Sequence, residues 1–116
     1  MPFDPTQFYL LASELGANSG EAHLRTAVGR AYYSVFLQAR AKLGIRGTKR
    51  VHTKVIVALK GRDRAAGDQL SKLETLRGLA DYELDITDSI NRDWPRNWQM
   101  AQAFVQHLQR RLSLIP

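Results

Sequence analysis

The chain has 116 residues, 44% of them hydrophobic and 24% charged, which fits one soluble globular domain and excludes a disordered tail. It has no cysteine, which removes disulfides, thiolate metal sites and cysteine nucleophiles and points to a reducing cytoplasm. A formal charge of +6 with a pI near 10.1 favours a polyanionic partner such as RNA, DNA or an acidic protein. No apolar run approaches the length of a membrane span. Residues 1–20 lack a basic start followed by an apolar stretch, so neither a membrane segment nor a secretory leader is expected.

In chain order, Asp4, Pro5 and Gln7 announce a first helix: a capping carboxylate, a first-turn proline and a glutamine placed to complete a capping box. Phe8, Leu11, Ala12 and Leu15 follow at helical spacing, and Gly16 reads as a left-handed stop. Asn18, with Glu21 three residues on, opens a second helix. Its stripe is Leu24, Val28, Ala31, Val35 and Ala39, widened by Tyr32, Phe36 and Leu43, and Gly44 ends it. A short third helix runs from about His52 to Lys60, with Gly61 as its stop. A fourth begins near Asp63 or Asp68, presents Leu70, Leu73, Leu76 and Ala80, and fades after Tyr82. The last begins around Asp93-Trp94-Pro95, where Trp94, Trp98, Ala101, Val105, Leu108 and Leu112 alternate steps of four and three. No stretch alternates with period two long enough for a sheet. The expected fold is all-α, an antiparallel four- to five-helix bundle forming one domain over residues 1–116.

Charge is segregated. From Arg40 to Arg64 the chain carries Arg40, Lys42, Arg46, Lys49, Arg50, Lys54, Lys60, Arg62 and Arg64 against Asp63 alone. From Asp81 to Asp93 the sign reverses, with Asp81, Glu83, Asp85, Asp88 and Asp93 against Arg92. The first segment offers phosphate contacts through Arg46, Lys49, Arg50 and Lys54; the second offers a surface for a basic partner, including a second copy of the chain. His23, His52 and His107 lie far apart, with no carboxylate at the spacing of a helical metal pair, so no metal or other cofactor is expected. No phosphate loop or serine elbow occurs.

Arg30-Ala31-Tyr32-Tyr33-Ser34-Val35-Phe36, of the form R-A-Y-Y-x-x-F, resembles the second helix of small prokaryotic HEPN-domain proteins. His52 opens a short helix as in their H-x-x-V element, and Leu76 to Tyr82 is similar to their L-R-x-x-A-D-Y element; the three stand in the family's order. The resemblance implies a HEPN-like helical bundle that commonly dimerises. It also implies an RNA- or nucleotide-directed role, often as a metal-independent ribonuclease or toxin encoded beside a small nucleotidyltransferase antitoxin. In the active branch an arginine and a histidine a few residues apart meet across the dimer cleft, where imidazole moves protons and guanidinium stabilises the charged transition state. This sequence departs from that pattern: the positions counted from Arg77 hold Tyr82, Glu83 and Leu84. Arg46 and His52 have the spacing but lie in the wrong segment.

Arg77 and His52 are therefore the candidate catalytic pair, drawn from different helices. Arg77, Asp81, Tyr82, Arg30 and Tyr33 are the candidates for holding a nucleotide, phosphate or partner. With the histidine missing, the alternative to a weak nuclease is a catalytically silent module that binds a nucleotide or a nucleotidyltransferase partner. A homodimer is expected in either case, with Tyr33, Trp94 and Trp98 as apolar anchors.

Overall fold

The computed structural model describes residues 2–116 and holds five helices: α1 (Thr6–Gly16), α2 (Glu21–Leu43), α3 (Val51–Arg62), α4 (Arg64–Tyr82) and α5 (Trp94–Ser113). α2 packs against all four others. Named contacts fix the directions. Arg30 lies over Phe8, while Leu37 and Arg40 flank a groove shared with Phe3 and Pro5, so α1 runs antiparallel to α2. Arg25 reaches Leu79 and Ala80 while Tyr32 meets Arg77, so α4 is antiparallel to α2 as well. α5 runs with α2, from Trp94 beside Arg25 to Leu112 near Lys42. The result is an antiparallel bundle of α1, α2, α4 and α5, with the short α3 laid against α2 and α4.

Each helix follows from its sequence. The α2 stripe of Leu24, Ala27, Val28, Ala31, Tyr32, Val35, Phe36 and Ala39 is buried, and so are Leu70, Leu73, Leu76 and Ala80 of α4. On α5, Trp94, Trp98, Ala101, Val105, Leu108 and Leu112 are buried together, the stripe expected from their spacing. Gly44 ends α2 at φ +67°, with the Gly44 and Ile45 amides returning to Ala41 and Arg40 carbonyls. Asp63 caps α4 by accepting the Ala66 amide, and Asp93 caps α5 by accepting that of Arg96. Asp63 also receives two hydrogen bonds from Arg111, at 2.7 and 2.9 Å, which join the α3–α4 corner to the last turn of α5.

Two of the glycines and two of the caps depart from expectation. Gly16 is not a left-handed stop; α1 continues through it into a right-handed Ala17, and a Cβ at Gly16 would collide with the Trp98 indole. Gly61 does not stop α3, which runs on to Arg62. At the start of α1, Asp4 accepts the Thr6 amide as expected, but no side-chain bond returns from Gln7 among the described residues. Asn18 accepts the Gly20 amide one turn ahead of α2 and leaves Gly20 as the N-cap. The glycine that matters between α3 and α4 is Gly67, where a Cβ would stand 2.7 Å from the Lys60 backbone nitrogen.

That contact predicts opposite outcomes at two glycines of one helix. Ala normally stabilises a helix interior by up to about 1 kcal/mol over Gly. Gly78 has open space around its missing Cβ, so Gly78→Ala should raise the urea midpoint. Gly67→Ala must push two backbones apart and should lower stability by about 1–3 kcal/mol in the same titration.

Candidate functional site

Arg77 organises the centre of the molecule. It lies on the buried face of α4 with its side chain only 10% exposed. Helical spacing puts Glu74 one turn before it and Asp81 one turn after. Arg77 Nη2 donates to Glu74 Oε1 at 2.7 Å and Nη1 to Asp81 Oδ2 at 3.5 Å. The flat of the guanidinium covers the rings of Tyr32 and Tyr33, at 5.3 and 5.7 Å from their centres. Burial works against this charge, but Tyr33, Glu74 and Asp81 together more than offset it, and the group is held more firmly protonated than usual. Asp81 faces Gly29 of α2, where a Cβ would stand 3.4 Å from Asp81 Oδ1 in ordinary contact.

α3 joins the cluster through His52. Its ring stacks on Phe36 at 4.4 Å and 16°, and its Nδ1 lies 2.6 Å from the Tyr32 hydroxyl. Burial, reinforced by the negative charge of Glu74 and opposed by Arg77, pushes the Tyr32 phenol far above its ordinary range, so it keeps its proton. Burial and the positive charge of Arg77 lower His52, against the opposing pull of Glu74, so the imidazole is neutral at pH 7. Tyr32 is fully buried, and its hydroxyl has no other partner among the described residues. An unshared phenol proton there would be costly, which assigns Tyr32 as donor and Nδ1 as acceptor. The remaining ring proton then sits on Nε2. His52 offers its surroundings a donor, while its free lone pair is spent inside the protein.

Five of the residues singled out by sequence therefore meet: Arg77, Asp81, His52, Tyr33 and Arg30. Arg30 lies over the rings of Tyr33 and Phe8, at 4.9 and 5.2 Å, so two guanidiniums, those of Arg30 and Arg77, lie against Tyr33. Tyr32 and Phe36 are core, as their positions in the stripe require. Tyr82 does not join the cluster; it ends α4 and is 72% exposed. Glu83 and Leu84, where the family pattern would carry a histidine, fall beyond the helix. Arg46, Lys49, Arg50 and Lys54 form an exposed edge along the α2–α3 loop and the first turn of α3. Arg50 takes a left-handed backbone, φ +52°, to start that helix beside His52. Arg50, Thr53, Lys54, Val57 and Ala58 line a shallow groove on the outer face of α3. Of the anchors expected at an interface, Trp94 and Trp98 are buried within the chain.

Sequence reasoning missed two contributors. Glu74 holds Arg77, and only its helical offset from Arg77 signals this. Arg25 closes the end of α4: its Nη1 donates to Glu83 O at 2.7 Å and also lies close to the Leu79 and Ala80 carbonyls. The same guanidinium sits 4.6 Å over the Trp94 ring and pairs with Glu21. No local pattern reveals that reach, since its partners lie more than fifty positions away. Set against protein-family models, curated proteins and solved structures, the chain matches none.

The lowered His52 fixes the sign of one pH effect. The unfolded chain binds a proton on this group near its ordinary 6.5, the folded chain only at lower pH. Its stabilising contribution is complete above 6.5 and is lost as pH falls through the folded value. Urea midpoints measured from about pH 7.5 down to about pH 5 should decline, and His52→Ala should flatten that decline. Carboxylates such as Asp63 act only in a more acidic window, below their ordinary 3.8. A wild-type slope unchanged by His52→Ala would remove His52 as its source.

Proposed function

We propose that this chain is a HEPN-type helical domain, cytoplasmic in setting, that binds single-stranded RNA and cleaves it poorly or not at all. The observation that carries the reading is the exposed edge of Arg46, Lys49, Arg50 and Lys54. None of the four is in an ion pair among the described residues, and the edge leads directly into His52. Phosphates laid along it would release counterions, and an Nε2 proton on His52 adds a neutral donor at its end.

The same geometry argues against efficient cleavage. A transesterifying nuclease needs a base for the attacking hydroxyl and a cation free to meet the developing charge. His52 directs its basic nitrogen to Tyr32. Arg77 is covered by two tyrosines and already engaged by Glu74 and Asp81. Both members of the candidate pair are turned inward. The resemblance to HEPN proteins supports a small nucleotidyltransferase as the protein partner and a homodimer as the assembly, in a toxin-like setting with a degenerate nuclease motif. In that alternative Arg30, Tyr33, Arg77 and Asp81 serve in nucleotide or partner contact.

Fluorescence anisotropy with a labelled single-stranded RNA tests the reading. Four phosphate contacts predict a slope of log K against log salt of about −3, so affinity should fall about 50-fold between about 50 and about 200 mM salt. Replacing Arg46, Lys49, Arg50 and Lys54 together with alanine should abolish the binding; binding that survives would assign the edge to solvent alone. In the same preparation cleavage should be slow or absent and indifferent to chelators. Rapid chelator-resistant cleavage lost in both Arg77→Ala and His52→Ala would restore an active nuclease.

A further inference from the structure

The groove on the outer face of α3 is not uniformly basic. Arg50, Lys54, Val57 and Gly61 stand at steps of four, three and four, so they form one stripe along the helix. Val55 and Leu59, the two residues that α3 buries completely, lie on the opposite side. The stripe changes character along its length. It begins cationic and turns aliphatic in the middle, where Val57 is 62% exposed beside half-buried Ala58. A Cβ at Gly61 would meet nothing within 4 Å, so the far end lies open. The groove encloses about 430 Å³, within the range of about 300–1,000 Å³ that holds small organic ligands.

Thr53 supplies a polar wall. Thr26 and Thr75, inside α2 and α4, donate their hydroxyls to the carbonyls four residues back, at 2.8 and 3.1 Å. Thr53 sits in the first turn of α3, where the residue four back precedes the helix, and its hydroxyl has no partner among the described residues. A free hydroxyl both donates and accepts. One exposed helix face thus offers two cations, an uncommitted hydroxyl and an apolar floor. These are the complements of the three parts of a nucleotide base unit: phosphate, polar ring edge and flat ring face.

We propose that the α3 groove is a nucleobase subsite. A single-stranded RNA held by its phosphates on Arg50 and Lys54 lays one unstacked base on Val57 and Ala58, with Thr53 at the base's edge. Lys54 and Val57 are about 4.5 Å apart along the helix axis, a separation that the sugar of one nucleotide spans. The subsite deepens the RNA reading above and rests on it. It supplies what a row of cations lacks, a means of telling a single strand from a duplex. Bases in a duplex are paired and stacked inside, and none is free to cover the floor. Among the bases the subsite is tolerant, because every base has an apolar face and the Thr53 hydroxyl can serve a donor or an acceptor.

Fluorescence anisotropy on the full chain with three labelled probes of equal length tests the proposal: a single-stranded RNA, the same ribose-phosphate backbone without bases, and an RNA duplex. The wild type should bind the single strand several-fold more tightly than the abasic backbone, a comparison that needs no variant. Val57→Ser/Ala58→Ser should remove that advantage, leaving the abasic backbone, the duplex and the salt slope as they were, because no charge has changed. Its circular dichroism should match the wild type, since Val55 and Leu59 still hold the helix. Arg50→Ala/Lys54→Ala should instead weaken all three probes and flatten the salt slope. Equal wild-type affinity for the single strand and the abasic backbone overturns the subsite, and so does a Val57→Ser/Ala58→Ser loss shared equally by all three probes. A polyglutamate peptide that displaces the single strand as well as unlabelled RNA does would assign the groove to an acidic protein and overturn it too. If the single strand binds through the basic edge with no help from its bases, the RNA reading stands and the subsite falls. If no probe binds, both fall.

Discussion

A mostly buried guanidinium needs compensating partners, and the centre of this protein is arranged around that requirement, though the Arg77 Nε is left without one. Arg77 has carboxylates along its own helix and tyrosine faces across the interface with α2. Removing either carboxylate would leave a mostly buried charge less well compensated. The packing of α2 on α4 is thus specified more narrowly than hydrophobic burial alone would specify it. The leucines of α4 would tolerate small sliding movements; the Glu74–Arg77–Tyr32 alignment would not.

The same centre sets the position of α3. This helix holds to the bundle through fully buried Val55 and Leu59, with Val51 and Ile56 packed beside them. Its first turn is seated by the His52 ring on Phe36 and by the hydroxyl of Tyr32, which itself lies under Arg77. The basic edge thus begins next to a ring that is seated on the buried cluster. One chain of contacts runs from Glu74 through Arg77 and Tyr32 to His52, at the start of the helix that carries Lys54.

Periodicity made most of the architecture legible. The apolar stripes of α2, α4 and α5 are long and regular, and Asp63, Asp93 and Gly44 mark ends that the structure keeps. Reading failed where one residue type serves two purposes. A glycine that stops a helix and one that lets a neighbour approach look alike in sequence, and Gly16 belongs to the second kind, made by a tryptophan more than eighty positions away. The site was legible as an inventory more than as an arrangement. Arg77, His52, Tyr33, Arg30 and Asp81 are visible as polar or aromatic residues on helices, but their convergence depends on how α3 lies on α2. Tyr82 misled because Ala80 faces inward and Asp81 meets Arg77, while Tyr82 sits where α4 unwinds.

Asp63 shows how far one carboxylate can reach. It ends the run of α3, caps α4 and takes both bonds from Arg111, and these contacts hold it below the ordinary carboxylate range. Three helices therefore share one titratable fastener. Acid strong enough to protonate it removes a helix cap and an interhelix tie in a single event, at the corner where α3, α4 and the last turn of α5 meet. The tie to Arg111 spans nearly half the chain, and closing it requires α5 to be in place.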